Sequence, residues 1–312
     1  MKLIESSVQI IEEKDPYKMI ELAGRTCYKS EDKITENSAK EFVDRMIKLG
    51  HGAMLEHGTI YLNVPEQTYT ETLEDEFGKF NNPNNGLVDR YRKNKYSKVN
   101  SVAADEELRK KYPKVRPFKL THHYITTNLR VIVENGWEED LEWQCEPTEH
   151  HEKRITVKWI LDRVTGESFL RHRVFSFARE STRYCNYSKD KFNNEITFIK
   201  PTWLDIPTGN YTYWDGDWCD IDKMKIQLPS DNGITDNFLW CLNNAETQYN
   251  LLINKGWKPQ QARQVLPFAV CSPLVMTGFE SDWEHFFSLR CSSKAHPDAK
   301  KLADELYKLI HK

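Results

Sequence analysis

Four arginines stand within thirteen positions of one aromatic-rich stretch, FLRHRVFSFARESTRY, at residues 169–184. They are Arg171, Arg173, Arg179 and Arg183, in a chain whose formal net charge is only −3. Guanidinium groups repel one another, and arginine is the side chain best shaped to grip phosphate through two parallel hydrogen bonds. An exposed basic face is the simpler interpretation. The apolar residues between the arginines favour a lined anion pocket instead.

Other side chains of this stretch could also take part in chemistry. If residues 169–173 are extended, Arg171 and Arg173 point to one face and His172 to the other, so the two arginines form an anion clamp. Ser181 and its neighbours would suit a phosphate if a helix or turn begins there. A nucleophilic Ser181 needs a hydrogen-bonded base, and the sequence has no G-x-S-x-G elbow. We therefore interpret Ser181 as a phosphate contact.

Histidines form a second candidate group. His51 and His57 are six residues apart in GHGAMLEH, so they lie on different sides of a helix and lack the i, i+4 zinc arrangement. The doublets His122-His123 and His150-His151 could each supply only one ligand from a strand, because adjacent side chains point in opposite directions. No metal site is predicted.

Two arginines in the C-terminal part stand beside apolar residues. Arg290 shares one helical face with Trp283, Phe286 and Phe287, and Arg263 lies in QARQVLP. An arginine on an apolar face either extends its charge to solvent or has a buried partner. If both arginines fold beside residues 171–183, the hypothesis that all of them bind one anionic ligand gains support.

Composition restricts the class of protein. With 312 residues, 29% of them charged and 12% aromatic, the chain is one large domain or two ordinary ones. A single cationic cluster and a small net charge argue against binding of a nucleic-acid polymer. No apolar run is long enough to span a membrane, and the first residues lack a signal-peptide core. Seven cysteines without a C-x-x-C pair suit reduced thiols. We expect a soluble cytoplasmic protein.

The elements that must position these residues follow from periodicity and capping patterns. We predict a strand over 2–11, a helix over 16–23 ending at Gly24, and a helix opened by the capping box Ser38-x-x-Glu41 and ended by Gly50. A half-buried strand is expected over 59–64. Further strands or mixed elements are expected over 119–134 and 153–178, solvated polar insertions near 80–118 and 185–235, and helices over 236–255, 259–266 and 297–311.

Five motifs in order resemble those of one family, the flavin-dependent thymidylate synthases. RHR followed after seven residues by serine, from Arg171 to Ser181, is similar to the family signature. The others are GRTCY at 24–28, GHGAMLEH at 50–57, QARQVLP at 261–267 and FFSLR at 286–290. The chain departs from the family pattern at some positions, with Ala53 in place of a hydroxyl residue and Ala178-Arg179-Glu180 in place of an Asn-Glu pair.

The resemblance implies an activity and its cofactors. Members convert dUMP to dTMP by reductive methylation, with methylenetetrahydrofolate as carbon donor, NADPH as reductant and bound FAD. It also implies a single α+β domain over residues 1–312, with a mixed sheet, flanking helices and a homotetrameric assembly. A metal-dependent nucleotide hydrolase and a non-catalytic nucleotide-binding protein stay as alternatives.

The resemblance also assigns residues. The implied dUMP contacts are Arg171, Ser181, Thr182, Arg183, Arg263 and Arg290, with Arg290 as the catalytic residue that favours the ionised, activated uracil. The implied FAD contacts are Cys27, His51, Ala53, Glu56, His172, Arg173 and His285. No enzyme nucleophile is required if the flavin drives the chemistry.

Overall fold

The computed structural model describes residues 1–69, 85–103, 118–189, 194–220 and 224–312. Helices and sheets mix along the chain, as the α+β expectation requires. The chain divides into two compact units, described separately. Unit 1 is Met1–Glu12, Leu22–Ile34 and Thr156–Lys312, and unit 2 is Glu13–Glu21 and Thr35–Ile155. The single catalytic domain stays a prediction, and parts of both predicted insertions (80–84, 104–117, 190–193 and 221–223) lie outside the described residues.

Numbered along the chain, the strands are β1 (Lys2–Ile4), β2 (Ser7–Ile11), β3 (Thr59–Tyr69), β4 (Lys98–Ala103), β5 (Phe118–Asn128), β6 (Arg154–Ile160), β7 (Ser176–Arg179), β8 (Thr197–Ile199), β9 (Gly209–Asn210), β10 (Thr212–Trp214), β11 (Asp217–Cys219) and β12 (Leu274–Phe279). Unit 1 holds a sheet in the order β2-β6-β12-β7, the mixed sheet β8-β1-β9 and the hairpin β10-β11. Unit 2 holds the antiparallel sheet β3-β5-β4.

The α-helices are α1 (Pro16–Tyr28), α2 (Ser38–Lys48), α3 (Gly52–Leu55), α4 (Asn85–Lys93), α5 (Leu129–Asn135), α6 (Arg163–Phe169), α7 (Ile234–Asn254), α8 (Pro259–Ala262), α9 (Glu280–Arg290) and α10 (Pro297–Ile310). Across the described stretches, none is long and apolar enough to cross a membrane. The predicted helices near 236–255 and 297–311 are present, and that over 259–266 is α8 followed by a 3₁₀ turn.

Two predicted helix ends are wrong and one is confirmed. α1 continues through Gly24, because Thr26 beyond it is also buried, and it ends at Tyr28 before Lys29, whose φ is 47°. α2 has no capping box, since the Ser38 hydroxyl donates to Glu21 Oε2 at 2.8 Å instead. Gly50 does end α2, with a φ of 69°. The amides of Gly50 and His51 close the paired bonds of a Schellman motif on Ile47 and Met46.

An aromatic core joins the elements of unit 1 that carry the arginine stretch. Trp159 of β6 contacts Phe169 at the end of α6, with ring centroids 4.9 Å apart. Phe286 of α9 lies 5.0 Å from Phe169. Edge-to-face contacts of this kind stabilise a core beyond the burial of area alone. The end of α6 and the face of α9 are therefore fixed to one another.

In unit 2, helix α4 packs on β4 and β5. Val88 and Tyr91 of α4 are buried, and the Tyr91 hydroxyl donates to Asp140 Oδ2 at 2.7 Å. Residues 85–103 thus differ from the solvated segment expected near 80–118, because Val88 and Tyr91 are buried although most charged side chains of this stretch are exposed.

Candidate functional site

The RHR segment is a turn, so the extended chain over 169–173 on which the anion clamp depended is absent. α6 ends at Phe169 and β7 begins at Ser176. The amide of His172 donates to the carbonyl of Phe169 at 3.0 Å, which closes the first bend. Arg171 and Arg173 are exposed while His172 is 6% exposed. The two arginines still face solvent while the histidine faces the interior, but a turn between helix and strand produces this arrangement.

Close packing against β12 holds the turn in place. The ring of Phe175 lies 4.6 Å from that of Trp283, between centroids. A Cβ added at Gly278 would lie 2.2 Å from Phe175 Cδ1. No real side chain tolerates that distance, so glycine is required here for the ring to approach the strand. The position of the turn therefore depends on Gly278.

Arg290 and His172 are directly bonded, although 118 positions separate them. Arg290 Nε donates to His172 Nε2 at 2.9 Å, and a second guanidinium nitrogen donates to the carbonyl of Ser168. Since His172 Nε2 accepts, the ring proton lies on Nδ1. These two uncharged acceptors orient the Arg290 guanidinium group without neutralising its charge.

The electrostatics of this pair favour a neutral imidazole beside a charged guanidinium. Burial, and then the positive charge of Arg290 and its neighbours, lowers the pKa of His172 to about 4. Burial also lowers the pKa of Arg290, with a further contribution from Arg171. Because the pKa of arginine starts above 12, Arg290 stays charged. We call Arg171, His172, His285 and Arg290 the RHR group.

A second group forms where Ser181 begins a turn. The Ser181 carbonyl accepts from the amides of Tyr184 at 3.1 Å and Cys185 at 3.0 Å, and the Ser181 amide donates to the Cys27 carbonyl at 2.9 Å. The turn expected at Ser181 is present. Burial, and then the charge of Glu180, raises the pKa of the Cys27 thiol to about 11, so Cys27 is protonated at neutral pH and is a poor nucleophile.

The same turn meets the helix that carries QARQVLP. Arg263 Nη1 donates to the hydroxyl of buried Thr182 at 3.4 Å, and Arg183 Nε donates to Gln260 Oε1 at 3.2 Å. Arg183 itself is exposed. We call Ser181, Thr182, Arg183 and Arg263 the turn group. Hence the six predicted dUMP residues all lie in unit 1, four in the turn group and two in the RHR group.

Arg179 differs from the other arginines of the stretch, because the protein itself occupies its donors. Its guanidinium group donates to Ser272 Oγ at 2.8 Å, to Glu167 Oε1 at 2.8 Å and to the Arg163 carbonyl at 3.0 Å. Its role is to tie β7 to its neighbours. Nothing in the spacing of the arginines distinguishes it from the others.

Glu180 is a buried acid whose partners sequence reasoning missed. The Tyr187 hydroxyl donates to Glu180 Oε1 at 2.5 Å, and Lys29 Nζ lies 3.5 Å from Oε2. Burial raises the pKa of Glu180, against the lowering effect of Lys29. The carboxyl group therefore ties the start of the Ser181 turn to the interior. Ala178 and Thr182, two positions before and after Glu180, are both buried. An acidic residue at this spacing between them is the signal that indicates a buried carboxyl group.

The remaining predicted flavin residues are divided between the units. Arg173 and His285 are exposed in unit 1, and His51 and Ala53 are exposed in unit 2. Glu56 Oε1 of unit 2 accepts from Arg130 Nη1 at 2.5 Å, and the Glu56 carbonyl accepts from Arg154 Nη1 at 2.9 Å. Within the part of the chain that the structure describes, no group of three or more His, Cys, Asp or Glu side chains is arranged to hold a metal ion.

The fold and these two groups define an α+β protein with several cationic side chains on loops of one unit. Residues 9–69 and 119–312 match the family model described as thymidylate synthase complementing protein. This match covers most of the chain, so the chain belongs to that family, and the resemblance found in the five motifs is confirmed.

Curated relatives named flavin-dependent thymidylate synthase are similar over shorter stretches. That of Geobacter sulfurreducens is 23% identical over 150 residues, 48% of this chain and 53% of the relative. That of Corynebacterium glutamicum is 27% identical over 161 residues, 50% of this chain and 56% of the relative. The chain spans about half the length of the curated relatives it matches.

One similar solved structure is a UMP/dUMP methylase, PolB from Streptomyces cacaoi, bound with 5-Br dUMP. It is 15% identical, and the alignment covers 99% of this chain and 92% of that chain with a TM-score of 0.42.

Proposed function

We propose that the protein is a flavin-dependent thymidylate synthase, which converts dUMP to dTMP with methylenetetrahydrofolate as carbon donor and NADPH as reductant. Membership of the family supports this activity. The observation that carries the proposal is the bond from Arg290 to a neutral His172, beside the exposed Arg171 and Arg173, which have no carboxylate partner within the described residues. Such a constellation suits a ligand with a phosphate and an anionic ring.

The turn group is suited to the phosphate of dUMP. The exposed Arg183 offers guanidinium donors, and Thr182 and Arg263 are already bonded to each other. The Ser181 hydroxyl stands at the start of a hydrogen-bonded turn. Because these groups are fixed before the ligand arrives, little side-chain ordering is needed on binding. We assign Ser181, Thr182, Arg183 and Arg263 to substrate binding.

The RHR group is suited to the uracil ring. Charge develops on ring oxygens as C5 becomes nucleophilic, and a guanidinium group aimed in advance stabilises that charge. Arg290 is held by His172 and by the Ser168 carbonyl, so it needs no reorganisation. Arg171 adds a second positive charge, as its effect on the pKa of Arg290 indicates. Arg290 is therefore the proposed catalytic residue.

The residues assigned to FAD fit the chemistry of that group. The exposed guanidinium of Arg173 suits a pyrophosphate, and a neutral His172 can lie against a heteroaromatic ring without adding charge to it. When bound, FAD supplies the redox chemistry of the reaction. The proposed FAD contacts are Cys27, His51, Ala53, Glu56, His172, Arg173 and His285. We further propose a single catalytic domain that assembles as a homotetramer in the cytoplasm.

The visible spectrum of the purified protein, followed by an assay for dTMP, tests the proposal. A yellow protein that oxidises NADPH faster with dUMP present and forms dTMP when the folate is supplied is expected. Activity that is lost with a chelator, without flavin absorbance, would instead indicate a metal-dependent hydrolase. Binding of dUMP without turnover would indicate a nucleotide-binding protein. A colourless protein that cannot be reconstituted with FAD, and forms no dTMP, contradicts the proposal.

A further inference from the structure

Three side chains of unit 2 form a hydrogen-bonded line across the sheet β3-β5-β4. His123 of β5 lies opposite Ser101 of β4 in the strand register, and the Ser101 hydroxyl is 2.8 Å from His123 Nδ1. On the other side of the ring, His123 Nε2 is 2.6 Å from Glu66 Oε2. The order serine, imidazole, carboxylate is that of a nucleophile, its base and the group that orients the base.

The burial of the three residues suits that order. His123 is 3% exposed and Glu66 is half-buried, whereas Ser101 is exposed on β4, an edge strand of this sheet. A base held from behind by a carboxylate keeps one tautomer, with Nε2–H donating to Glu66 and Nδ1 accepting from Ser101. The hydroxyl oxygen therefore faces solvent while its proton faces the base.

A cation stands beside the hydroxyl. Arg92 Nη2 of α4 donates to Ser101 Oγ at 3.0 Å, while Arg92 Nη1 lies 3.4 Å from Asp89 Oδ1. A guanidinium group at this distance favours transfer of the hydroxyl proton to the imidazole, and it can stabilise an oxyanion formed on the carbon that the oxygen attacks. Arg92 thus supplies the electrostatic part of a nucleophilic site.

Two of the four residues, the nucleophile among them, lie outside the matched family stretches. Ser101 and Arg92 fall between residues 69 and 119, the limits of the two matched segments, whereas Glu66 and His123 lie just inside them. The thymidylate synthase proposal assigns no role to any of the four.

We propose that Ser101, His123 and Glu66 form a second site, which hydrolyses small acyl esters through an acyl-serine. Ser101 Oγ bonds to the carbonyl carbon as its proton passes to His123 Nδ1, and Glu66 stabilises the imidazolium. The bond to the leaving alcohol breaks, and that alcohol takes the proton from His123. Water then attacks the acyl-serine with His123 again as base, which releases the acid and restores Ser101.

Covalent labelling of the full chain with a fluorophosphonate tests the nucleophile. Ser101 attacks phosphorus, fluoride leaves, and peptide mass spectrometry locates the adduct. We expect an adduct at Ser101 that is absent from Ser101→Ala and unchanged in Ser7→Ala, a control at another exposed strand serine. No adduct at Ser101 in the wild-type protein overturns the proposal, whatever the outcome for dTMP formation.

Rates of ester hydrolysis and of labelling distinguish a catalytic role of Ser101, His123 and Glu66 from a purely structural hydrogen-bond network. Hydrolysis of p-nitrophenyl acetate should fall by about 10²-fold or more in Ser101→Ala, as general base and nucleophile are lost together. Glu66→Gln keeps a hydrogen-bonding group but removes the charge, so it should slow labelling about tenfold or more with thermal stability retained. Equal labelling rates in Glu66→Gln and wild type would mean that the three residues are only a hydrogen-bond network. Ser101→Ala should form dTMP at the wild-type rate, which keeps this test distinct from that of the synthase.

Discussion

Several arginines in or beside the 169–184 stretch of unit 1 differ from the ion-paired arginines of unit 2 in what they face. In unit 2, Arg130 is bonded to Glu56 and to Glu134, and Arg90 is bonded to Asp140. In unit 1, Arg290 faces the neutral ring of His172 and a carbonyl, and the exposed arginines of the 169–184 stretch have no ion pair among the described residues. Arg179, the partly buried one, is the exception, since it pairs with Glu167.

This difference separates cations that hold the protein together from cations available to a ligand. An arginine that already faces a carboxylate gives up part of that interaction when it binds an anion. Neutral acceptors aim a guanidinium group and leave its charge in place. A phosphate or an anionic ring therefore gains most from the arginines of unit 1. The comparison predicts where substitutions affect ligands and where they affect stability.

The largest expected effect is that of Arg290→Ala on turnover. Its charge is aimed at the proposed uracil position, so its loss should lower kcat for dTMP formation by at least about 10²-fold. Arg45→Ala is the matched control, because Arg45 is an exposed arginine of unit 2 that lies over the ring of Phe42. Steady-state rates with saturating dUMP measure both. Turnover by Arg290→Ala within a factor of two of wild type would remove it from the site.

Gly278→Ala should destabilise unit 1 by about 1–3 kcal/mol through overpacking against Phe175. The RHR turn packs through the Phe175 ring, so the rate of dTMP formation should fall as well. Gly86→Ala is the control in unit 2, since a Cβ there meets no atom within 4 Å and alanine suits a helix better than glycine. Urea unfolding compares the two. If Gly278→Ala unfolds with the same free energy as the wild-type protein, the Phe175 ring can shift to make room for the added methyl group.

Acid should weaken the RHR group through His172. Its pKa is about 4 in the folded protein, below the usual value of about 6.5 in an unfolded chain. The unfolded state therefore binds the proton first, so the stability due to neutral His172 is present above pH 6.5 and is lost as the pH falls towards 4. The loss is about 1–3 kcal/mol.

Paired unfolding curves of wild type and His172→Gln at pH 7 and pH 4.5 isolate this contribution. The gap between the two proteins should be larger at pH 7, because the titration of other groups is common to both. A gap that does not change with pH would show that His172 binds its proton equally in the folded and unfolded states.

The smallest of these effects concerns the turn group. Arg183→Ala should raise the dissociation constant for dUMP about tenfold, the loss of one charge-assisted contact, while FAD stays bound. Arg45→Ala again serves as the control, with an unchanged constant expected. Calorimetry measures dUMP binding, and the flavin absorbance of the same sample reports FAD. Unchanged affinity in Arg183→Ala would reject its contact with the phosphate.

Local patterns predicted the elements that have strong local signals. The Gly50 end of α2 and the helices α7 and α10 follow from glycine and from apolar spacing. For residues 169–173 the sequence left the conformation open, with an extended chain as the condition for an anion clamp. The structure has a turn there, whose inner face is set by Phe286 and Trp283, more than a hundred positions along the chain. Distant packing of this kind leaves no mark on a local pattern.

The sequence by itself determined the family, through five ordered motifs, and it determined which residue types gather in the 169–184 stretch. Only the tertiary structure decided how each charged group is used. It turned Arg179 towards Glu167, bonded Arg290 to His172, and placed Ser101 beside His123. The physical reason is that burial and pairing fix the energy of a charge, and both depend on side chains that lie far apart in the chain.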